Sequence, residues 1–187
     1  MLEPTVTHAA DRLLALGRIT RPPVPVDRLA KLAGAEVRTG PLPPDLSGFL
    51  LRQGGKPIVG VNSTHAPVRQ RFTIAHELGH LSLHPDKSYV DRGFAIYFRD
   101  DKSASAEDRA EIQANQFAAD LLMPRRMLEA ALKGWTVDIE DEVTLRRIAE
   151  RFDVSTQALT YRLINLGFAS GMPSPSRRQA GADRHET

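Results

Sequence analysis

The most constraining feature of this chain is the five-residue stretch His76-Glu-Leu-Gly-His80, in which two histidines stand four residues apart. In an α-helix, residues i and i+4 lie one turn apart on the same face, so the two imidazoles can bind one metal ion together. Glu77 directly follows the first histidine, where its carboxylate can take a proton from a water molecule that the metal has activated. This spacing predicts a helix that carries a catalytic zinc site.

The residues around this stretch favour a helix. Pro67 suits a first turn and Pro85 follows the last one, while apolar residues such as Phe72 and Leu78 are expected to lie away from the histidines. A glycine inside a helix costs about 1 kcal/mol relative to alanine, so Gly79 indicates that another backbone or a substrate approaches closely there. The alternative interpretation is a pair of core histidines satisfied by hydrogen bonds. A core helix, however, has little reason to place His, Glu and His on one stripe.

A third ligand is expected downstream, because a catalytic zinc ion has three protein ligands and keeps its fourth position open. The chain lacks the longer histidine pattern of the metzincins. His84 comes a full helical turn after His80 and is expected to be structural or to support a ligand from behind. The better candidate is Glu111, in the middle of a helix predicted over residues 106–122.

Small residues follow Glu111 on the same face of that helix. Ala114 and Ala118 would let it pack closely against the histidine helix, so that the Glu111 carboxylate reaches the metal. Asn115, one turn after Glu111, is a candidate to orient one of the histidines through a hydrogen bond. These neighbours distinguish Glu111 from an ordinary surface glutamate.

The segment RQRFTIAHELGHLSLHP, followed by EIQANQFAADLLMP, resembles the ImmA/IrrE family of bacterial and phage zinc metallopeptidases. The similarity in the order and spacing of segments covers roughly residues 8 to 169. The resemblance implies that His76, His80 and Glu111 bind zinc and that Glu77 is the catalytic acid and base, with no departure from the family pattern at these positions. It also implies a protein substrate, typically a helix-turn-helix transcriptional repressor that is cut at a specific site.

Composition narrows the choice of metal ligands and of compartment. The chain has 187 residues and 41% hydrophobic content, enough for one ordinary core, and it contains no cysteine. Disulfides and thiolate ligands are therefore excluded, which leaves His and carboxylate ligands and agrees with a cytoplasmic location. Neither a signal peptide nor a membrane-spanning segment is expected. A net charge of +2 does not by itself indicate binding to nucleic acid.

A small sheet is predicted near the N-terminus. Short helices are expected over residues 8–17 and 26–34, and strands over residues 35–38, 48–52 and 57–61, of which the last two form a hairpin. An edge of this sheet could receive an extended peptide substrate or be an ordinary sheet edge.

The two predicted ligand helices are joined by residues 86–104, which are expected to form a polar loop with a possible strand at residues 94–98. Tyr89, Tyr97 and His84 are candidates to stabilise an oxyanion during peptide hydrolysis. The sequence does not distinguish among them.

The C-terminal part of the chain has the spacing of a helix-turn-helix. The segments TLRRIAERF and TQALTYRLINLGF flank a tight turn, and Ser155 is expected to cap the second helix. Arg146, Arg147 and Arg162 are candidates for DNA contact, but neighbouring acidic residues balance their charge. The alternative is a helical subdomain that packs on the peptidase core or docks a protein substrate. The residues then expected to be buried are Ile148, Phe152, Leu159 and Leu163.

Together these observations predict an α+β protein. A zincin-like metallopeptidase domain with a small mixed sheet is expected in residues 1–134, a helical, helix-turn-helix-like subdomain in residues 135–169, and a disordered tail in residues 170–187. The predicted function is hydrolysis of a peptide bond in a specific protein partner, with Zn²⁺ as the cofactor. The rival hypothesis is a regulatory DNA- or protein-binding module whose metal site is structural or weakly active. The sequence leaves the oligomeric state open.

Overall fold

The structure of the chain, a computed structural model, describes residues 6–52, 56–84, 88–91, 106–133 and 136–170. These residues form helices α1 (Val6–Leu16), α2 (Val26–Leu32), α3 (Pro67–Leu83), α4 (Ala106–Leu122), α5 (Arg125–Leu132), α6 (Glu142–Phe152) and α7 (Thr156–Leu166). The strands are β1 (Glu36–Gly40), β2 (Gly48–Leu51), β3 (Ile58–Asn62), β4 (Tyr89–Asp91), β5 (Val137–Asp138) and β6 (Ala169–Ser170). The α+β class is confirmed.

A four-stranded mixed sheet lies on one side of α3. Its strand order is β1-β3-β2-β4, in which β1 runs parallel to β3 and the other neighbours are antiparallel. The predicted pairing of the second and third strands is confirmed, with Leu50 opposite Val59. The ring of Phe49 lies across Gly60, where a Cβ would overlap the ring carbons. Any larger residue at position 60 would therefore displace this aromatic side chain.

Two pairings differ from the sequence-based expectation. The segment predicted to be a polar loop contains β4, which adds to the free side of β2. The strand expected at residues 94–98 lies outside the described residues. The two-residue strands β5 and β6 also pair, so Ser170 belongs to a strand although the tail was predicted to begin there. Strands of two or three residues are too short to show the alternation on which a sequence-based prediction depends.

Helix α3 lies between the sheet and α4, and the main core forms around it. Thr73 to His80 are buried without a break, so two full turns of this helix are covered on all sides. The elements packed against this helix contribute some of the largest fully buried apolar side chains, which are Leu29, Leu50, Phe117, Leu121 and Leu122. Helix α1 packs mainly on α4, and α2 packs on α3. The two N-terminal helices thus brace the two helices that carry the predicted ligands. Within the described ranges, no helix is both long and apolar enough to span a bilayer.

Helices α6 and α7 are joined by a tight turn in which Asp153 adopts a left-handed conformation, with φ of 54°. The Ser155 hydroxyl accepts a hydrogen bond from the Ala158 amide and caps α7, as predicted. The four residues expected to face inward, Ile148, Phe152, Leu159 and Leu163, are buried. The two helices therefore form an apolar pair that packs on the rest of the protein.

A buried ion pair joins α7 to α4. Arg162 lies 2.6 Å from Asp120, and both side chains are about 5% exposed. The Arg162 Nε also donates to the carbonyl oxygen of Met123, and Asp120 accepts from the Thr7 hydroxyl. The prediction that Arg162 belongs to a DNA-contacting set is wrong, because a buried guanidinium engaged in this way cannot reach a phosphate.

A second arginine joins the turn between α6 and α7 to the histidine helix. Arg71 of α3 donates to the backbone carbonyl of Asp153 and pairs with its carboxylate at 2.9 Å. It also donates to the carbonyl oxygen of Val24, in the segment before α2. The C-terminal helix pair is therefore attached to α3 one helical turn before the predicted metal site.

Candidate metal centre

The two histidines of α3 point their outer nitrogens at one locus. His76 and His80 are 3% and 0% exposed, and their Nε2 atoms lie 3.0 Å apart. The rings meet edge to face, with centroids 4.7 Å apart. This convergence follows from the one-turn spacing on the helix, because both side chains leave the same face.

Glu111 reaches the same locus from α4. Its carboxylate oxygens lie 3.2 Å from His76 Nε2 and 3.2 Å from His80 Nε2. In a tetrahedral zinc site with ligand distances near 2.0–2.1 Å, the ligand atoms lie about 3.3 Å from one another. The two imidazole nitrogens, 3.0 Å apart, are close to this spacing, and each lies 3.2 Å from one of the two Glu111 oxygens. His76, His80 and Glu111 are also the group of potential metal ligands found among the described residues.

Asn115 supports His76 from behind. The Asn115 Oδ1 lies 3.0 Å from His76 Nδ1, and since an amide oxygen can only accept, the imidazole Nδ1–H donates. The neutral ring then keeps a lone pair on Nε2, which is the form that binds a metal. The structure thus brings together His76 and Asn115, two residues that the sequence linked only as candidates.

The titration of the cluster is consistent with cation binding. Burial lowers the pKa of His80 below its usual value, and its hydrogen bond to the Glu111 carboxylate offsets this only in part. Burial raises the pKa of Glu111, but the neighbouring imidazole groups of His76 and His80 outweigh it and bring the pKa to about 2. The cluster therefore presents neutral His80 and an ionised carboxylate at neutral pH, the protonation states that metal ligands require.

Glu77 lies beside the cluster and is fully buried. Its side chain faces β2, where its Oε1 is 3.6 Å from the point at which a Cβ on Gly48 would lie. That Cβ would also overlap the Thr73 side chain and come within 2.6 Å of the Gly60 carbonyl oxygen. A glycine at position 48 is needed because the strand passes this close to the helix face that carries Glu77.

Gly79 allows α3 and α4 to approach each other. A Cβ at this position would lie 3.0 Å from the Ala114 Cα, 3.2 Å from its carbonyl oxygen and 3.2 Å from the Phe117 Cβ. The expectation that another backbone approaches at Gly79 is confirmed, and that backbone belongs to the helix that carries Glu111. The absence of a side chain here sets the separation between the two helices.

Two aromatic side chains flank the histidines. Tyr89 of β4 stacks on His80, with centroids 3.6 Å apart and the rings within 14° of parallel. Phe72 lies next to His76, with ring centroids 6.5 Å apart, so the expectation that it lies away from the histidines is wrong. A residue four positions before His76 shares its face of the helix, as the i, i+4 rule requires. Tyr97 lies outside the described residues.

His84 and Arg52 lie at the C-terminal end of α3. His84 ends the helix, its ring is 5.8 Å from that of His80, and its amide bonds to the His80 carbonyl oxygen. The guanidinium of Arg52, which follows β2, donates to the carbonyl oxygens of His80, Leu81 and His84. A cation placed on carbonyl oxygens at the C-terminal end of a helix stabilises that end, which here carries His80. The role of Arg52 was missed, because nothing local in the sequence links it to α3.

A buried helix with an HExxH motif, completed by a glutamate from a second helix beside a small mixed sheet, is an arrangement typical of metallopeptidases. The chain belongs to the Peptidase_M78 family, the IrrE N-terminal-like domain, whose family model matches residues 30–164. This confirms the resemblance to the ImmA/IrrE family, and all three predicted ligands lie within the matched region.

Two proteins are similar to this chain in sequence, and one is similar in structure. It is 30% identical over 132 residues to the radiation response metalloprotease IrrE of Deinococcus radiodurans. The aligned residues cover 67% of this chain and 38% of that protein. It is 29% identical over 80 residues to the uncharacterized immunity region protein 2 of Bacillus phage phi105, covering 43% of this chain and 46% of that one. A Mycobacterium tuberculosis transcriptional regulator has a similar fold, with a TM-score of 0.57 and 22% identity over 84% of this chain and 46% of that chain. The chain thus spans less than half the length of each of these proteins.

Proposed function

We propose that this chain is a zinc-dependent endopeptidase that hydrolyses a peptide bond in a specific protein partner. The observation that carries the proposal is the convergence of two imidazole nitrogens and a carboxylate at mutual distances of 3.0–3.2 Å. Two lone pairs and a negative charge repel one another unless protons or a cation lie between them. Two histidines with one glutamate is also a ligand set of known catalytic zinc sites.

Each residue of the site would have a distinct task. His76, His80 and Glu111 would hold the zinc ion, and Asn115 would keep His76 in the tautomer that binds it. Zinc, when bound, supplies a Lewis acid and lowers the pKa of water to about 7. The Glu77 carboxylate would take the proton from the attacking water and later donate it to the leaving nitrogen. Its complete burial keeps bulk water away from this proton transfer.

The substrate class is proposed from the family. The ImmA/IrrE resemblance implies a helix-turn-helix transcriptional repressor as the protein that is cut, in the cytoplasm. One of the matched relatives is named as a protein of a phage immunity region, which supports a substrate connected with gene regulation. The attachment of α6 and α7 to α3 and α4 through Arg71 and Arg162 further favours a role for these helices in the peptidase itself.

The metal site is tested by elemental mass spectrometry of the purified protein. We expect about one zinc ion per chain in the wild type and in Glu77→Gln, and little in Glu111→Ala. Glu150→Ala, an exposed glutamate of α6, is the matched control and should retain zinc. Zinc that is unaffected by Glu111→Ala would show that the ion is held elsewhere.

The activity is tested with a peptide mixture from a digested proteome and with a panel of purified helix-turn-helix repressors. New termini identified by mass spectrometry report cleavage. We expect Glu77→Gln to lose about 10²–10⁴-fold in rate while it keeps its zinc, because general acid–base catalysis contributes on that order. Equal cleavage by Glu77→Gln and the wild type would contradict the proposed mechanism.

A further inference from the structure

A cavity of about 330 Å³ lies between the N-terminal half of α3 and the start of α7. Its apolar walls are Val68 and Phe72 on α3, and Val154 and Ala158 on the opposite side. The volume is at the low end of the range of about 300–1,000 Å³ that is usual for ligand sites. The cavity therefore has room for at least one large side chain.

This cavity adjoins the candidate metal centre. Phe72 forms part of its wall and lies one helical turn before His76, with the two ring centroids 6.5 Å apart. An extended peptide advances about 3.3 Å per residue. If the scissile carbonyl lies beside His76, the side chain one or two residues further along the peptide would lie about 3–7 Å away, next to Phe72.

The polar residues of the cavity restrict what can enter. The Arg69 side chain lies in its wall and donates to the Ser47 hydroxyl at 2.9 Å, which keeps a positive charge at this edge. A lysine or arginine side chain would meet that charge and be disfavoured. Ser155 and Gln157 also line the cavity, and the Ser155 oxygen already caps α7. Four of the seven lining residues are apolar, so the matching occupant is a neutral, apolar side chain.

We propose that this cavity is a substrate-specificity subsite that receives an apolar side chain, of the size of leucine or phenylalanine, next to the scissile bond. The proposal rests on the proposed peptidase function and adds a preference for an apolar side chain in the substrate. It also assigns a task to the turn between α6 and α7, because Val154 and Ala158 form the wall opposite α3. The helix pair then contributes to peptide recognition.

The subsite is tested by binding, independently of turnover. Peptide hydroxamates chelate zinc through the hydroxamate, and four of them would differ only in the adjacent side chain, which is that of glycine, leucine, phenylalanine or lysine. Affinities for the zinc-loaded full chain are measured by calorimetry. We expect the leucine and phenylalanine compounds to bind at least about tenfold more tightly than the glycine compound, from apolar burial. The lysine compound should show no such gain.

Variants of the cavity wall give the second part of the test. Ala158→Leu should narrow the cavity and reduce the gain for leucine and phenylalanine, whereas Ala130→Leu, at an exposed position of α5, should leave the gain intact. Val154→Ala should enlarge the cavity and favour phenylalanine over leucine. Zinc content and Tm are measured for each variant. If Ala158→Leu does not fold, the side-chain preference of Val154→Ala tests the subsite instead.

The outcomes separate the two proposals. Equal affinity of all four compounds for the wild type would overturn the subsite and leave the metal centre standing. Unchanged side-chain preference in folded Ala158→Leu and Val154→Ala would also overturn it. Failure of every hydroxamate to bind the zinc-loaded protein would show that the zinc ion has no open position, and would overturn the proposed peptidase site and the subsite with it.

Discussion

Replacement of Gly79 by alanine should destabilise the protein and weaken zinc binding, although alanine is the better helix former. The gain in helix propensity is about 1 kcal/mol. Against it, the new methyl group would lie 3.0 Å from the Ala114 Cα and 3.2 Å from the Phe117 Cβ, closer than ordinary carbon contacts of 3.5–4.0 Å. The nearest obstructing atoms belong to the Ala114 backbone of α4, which cannot rotate aside because the fully buried Phe117 and Leu121 hold the helix in place. Overpacking of this kind costs about 1–3 kcal/mol.

The expected net loss for Gly79→Ala is therefore about 1 kcal/mol, or about 2–4 °C in Tm for a chain of this size. Because α4 carries Glu111, a shift of a few tenths of an ångström would also lengthen the distances from its carboxylate to the histidines. We expect zinc affinity, measured by competition with a chromophoric chelator, to fall by about tenfold. Ser82→Ala, at an exposed position of α3, is the control and should retain both properties. A Gly79→Ala protein that is about 1 kcal/mol more stable and binds zinc normally would refute the reasoning.

Three further outcomes follow from single contacts. Asn115→Leu removes the acceptor for the His76 Nδ1–H and should lower zinc affinity by about 10–100-fold, as judged by the same competition assay; an unchanged affinity would show that the bond is incidental. Arg162→Met leaves Asp120 buried without its cation and should cost about 3–5 kcal/mol in chemical denaturation. The double variant with Asp120→Leu should lose much less stability, because no buried charge is left unpaired. A loss as large as the sum of the two single variants would contradict this explanation. Arg52→Ala removes the donor to three carbonyl oxygens at the end of α3, and hydrogen exchange of the amides in that last turn should speed up while the amides of α6 stay unchanged.

Much of the local architecture could be predicted because its signals are local. The one-turn spacing of the histidines, Pro67 at the first turn and the length of the segment were enough to place α3, and Ser155 at the cap of α7 was identified by its position alone. The pairing of β2 with β3 followed from two short apolar runs close together in the chain. Glu111 was selected as a ligand candidate by its small neighbours, and the structure brings its carboxylate within 3.2 Å of both imidazoles.

Contacts between residues far apart in the chain were not predictable in the same way. Arg52 reaches the end of α3 across about 30 positions of sequence, and Arg162 is paired with Asp120 of another helix. From the sequence alone both arginines would be predicted to lie on the surface, because a charged residue type does not indicate burial. The two-residue strands β5 and β6 are stabilised by each other and carry no periodic signal.

The sequence by itself determined the chemistry available to this protein: two imidazoles one turn apart, an adjacent glutamate, and no thiol to compete for the metal. Such features depend on residue type and on spacing within one helix, which covalent geometry dictates. Only the tertiary structure decided the geometry of the site, because the distance from Glu111 to the histidines depends on how closely α4 packs on Gly79 of α3. It also decided that Phe72 and the turn after α6 enclose a cavity beside His76, since long-range packing determines which buried surfaces meet.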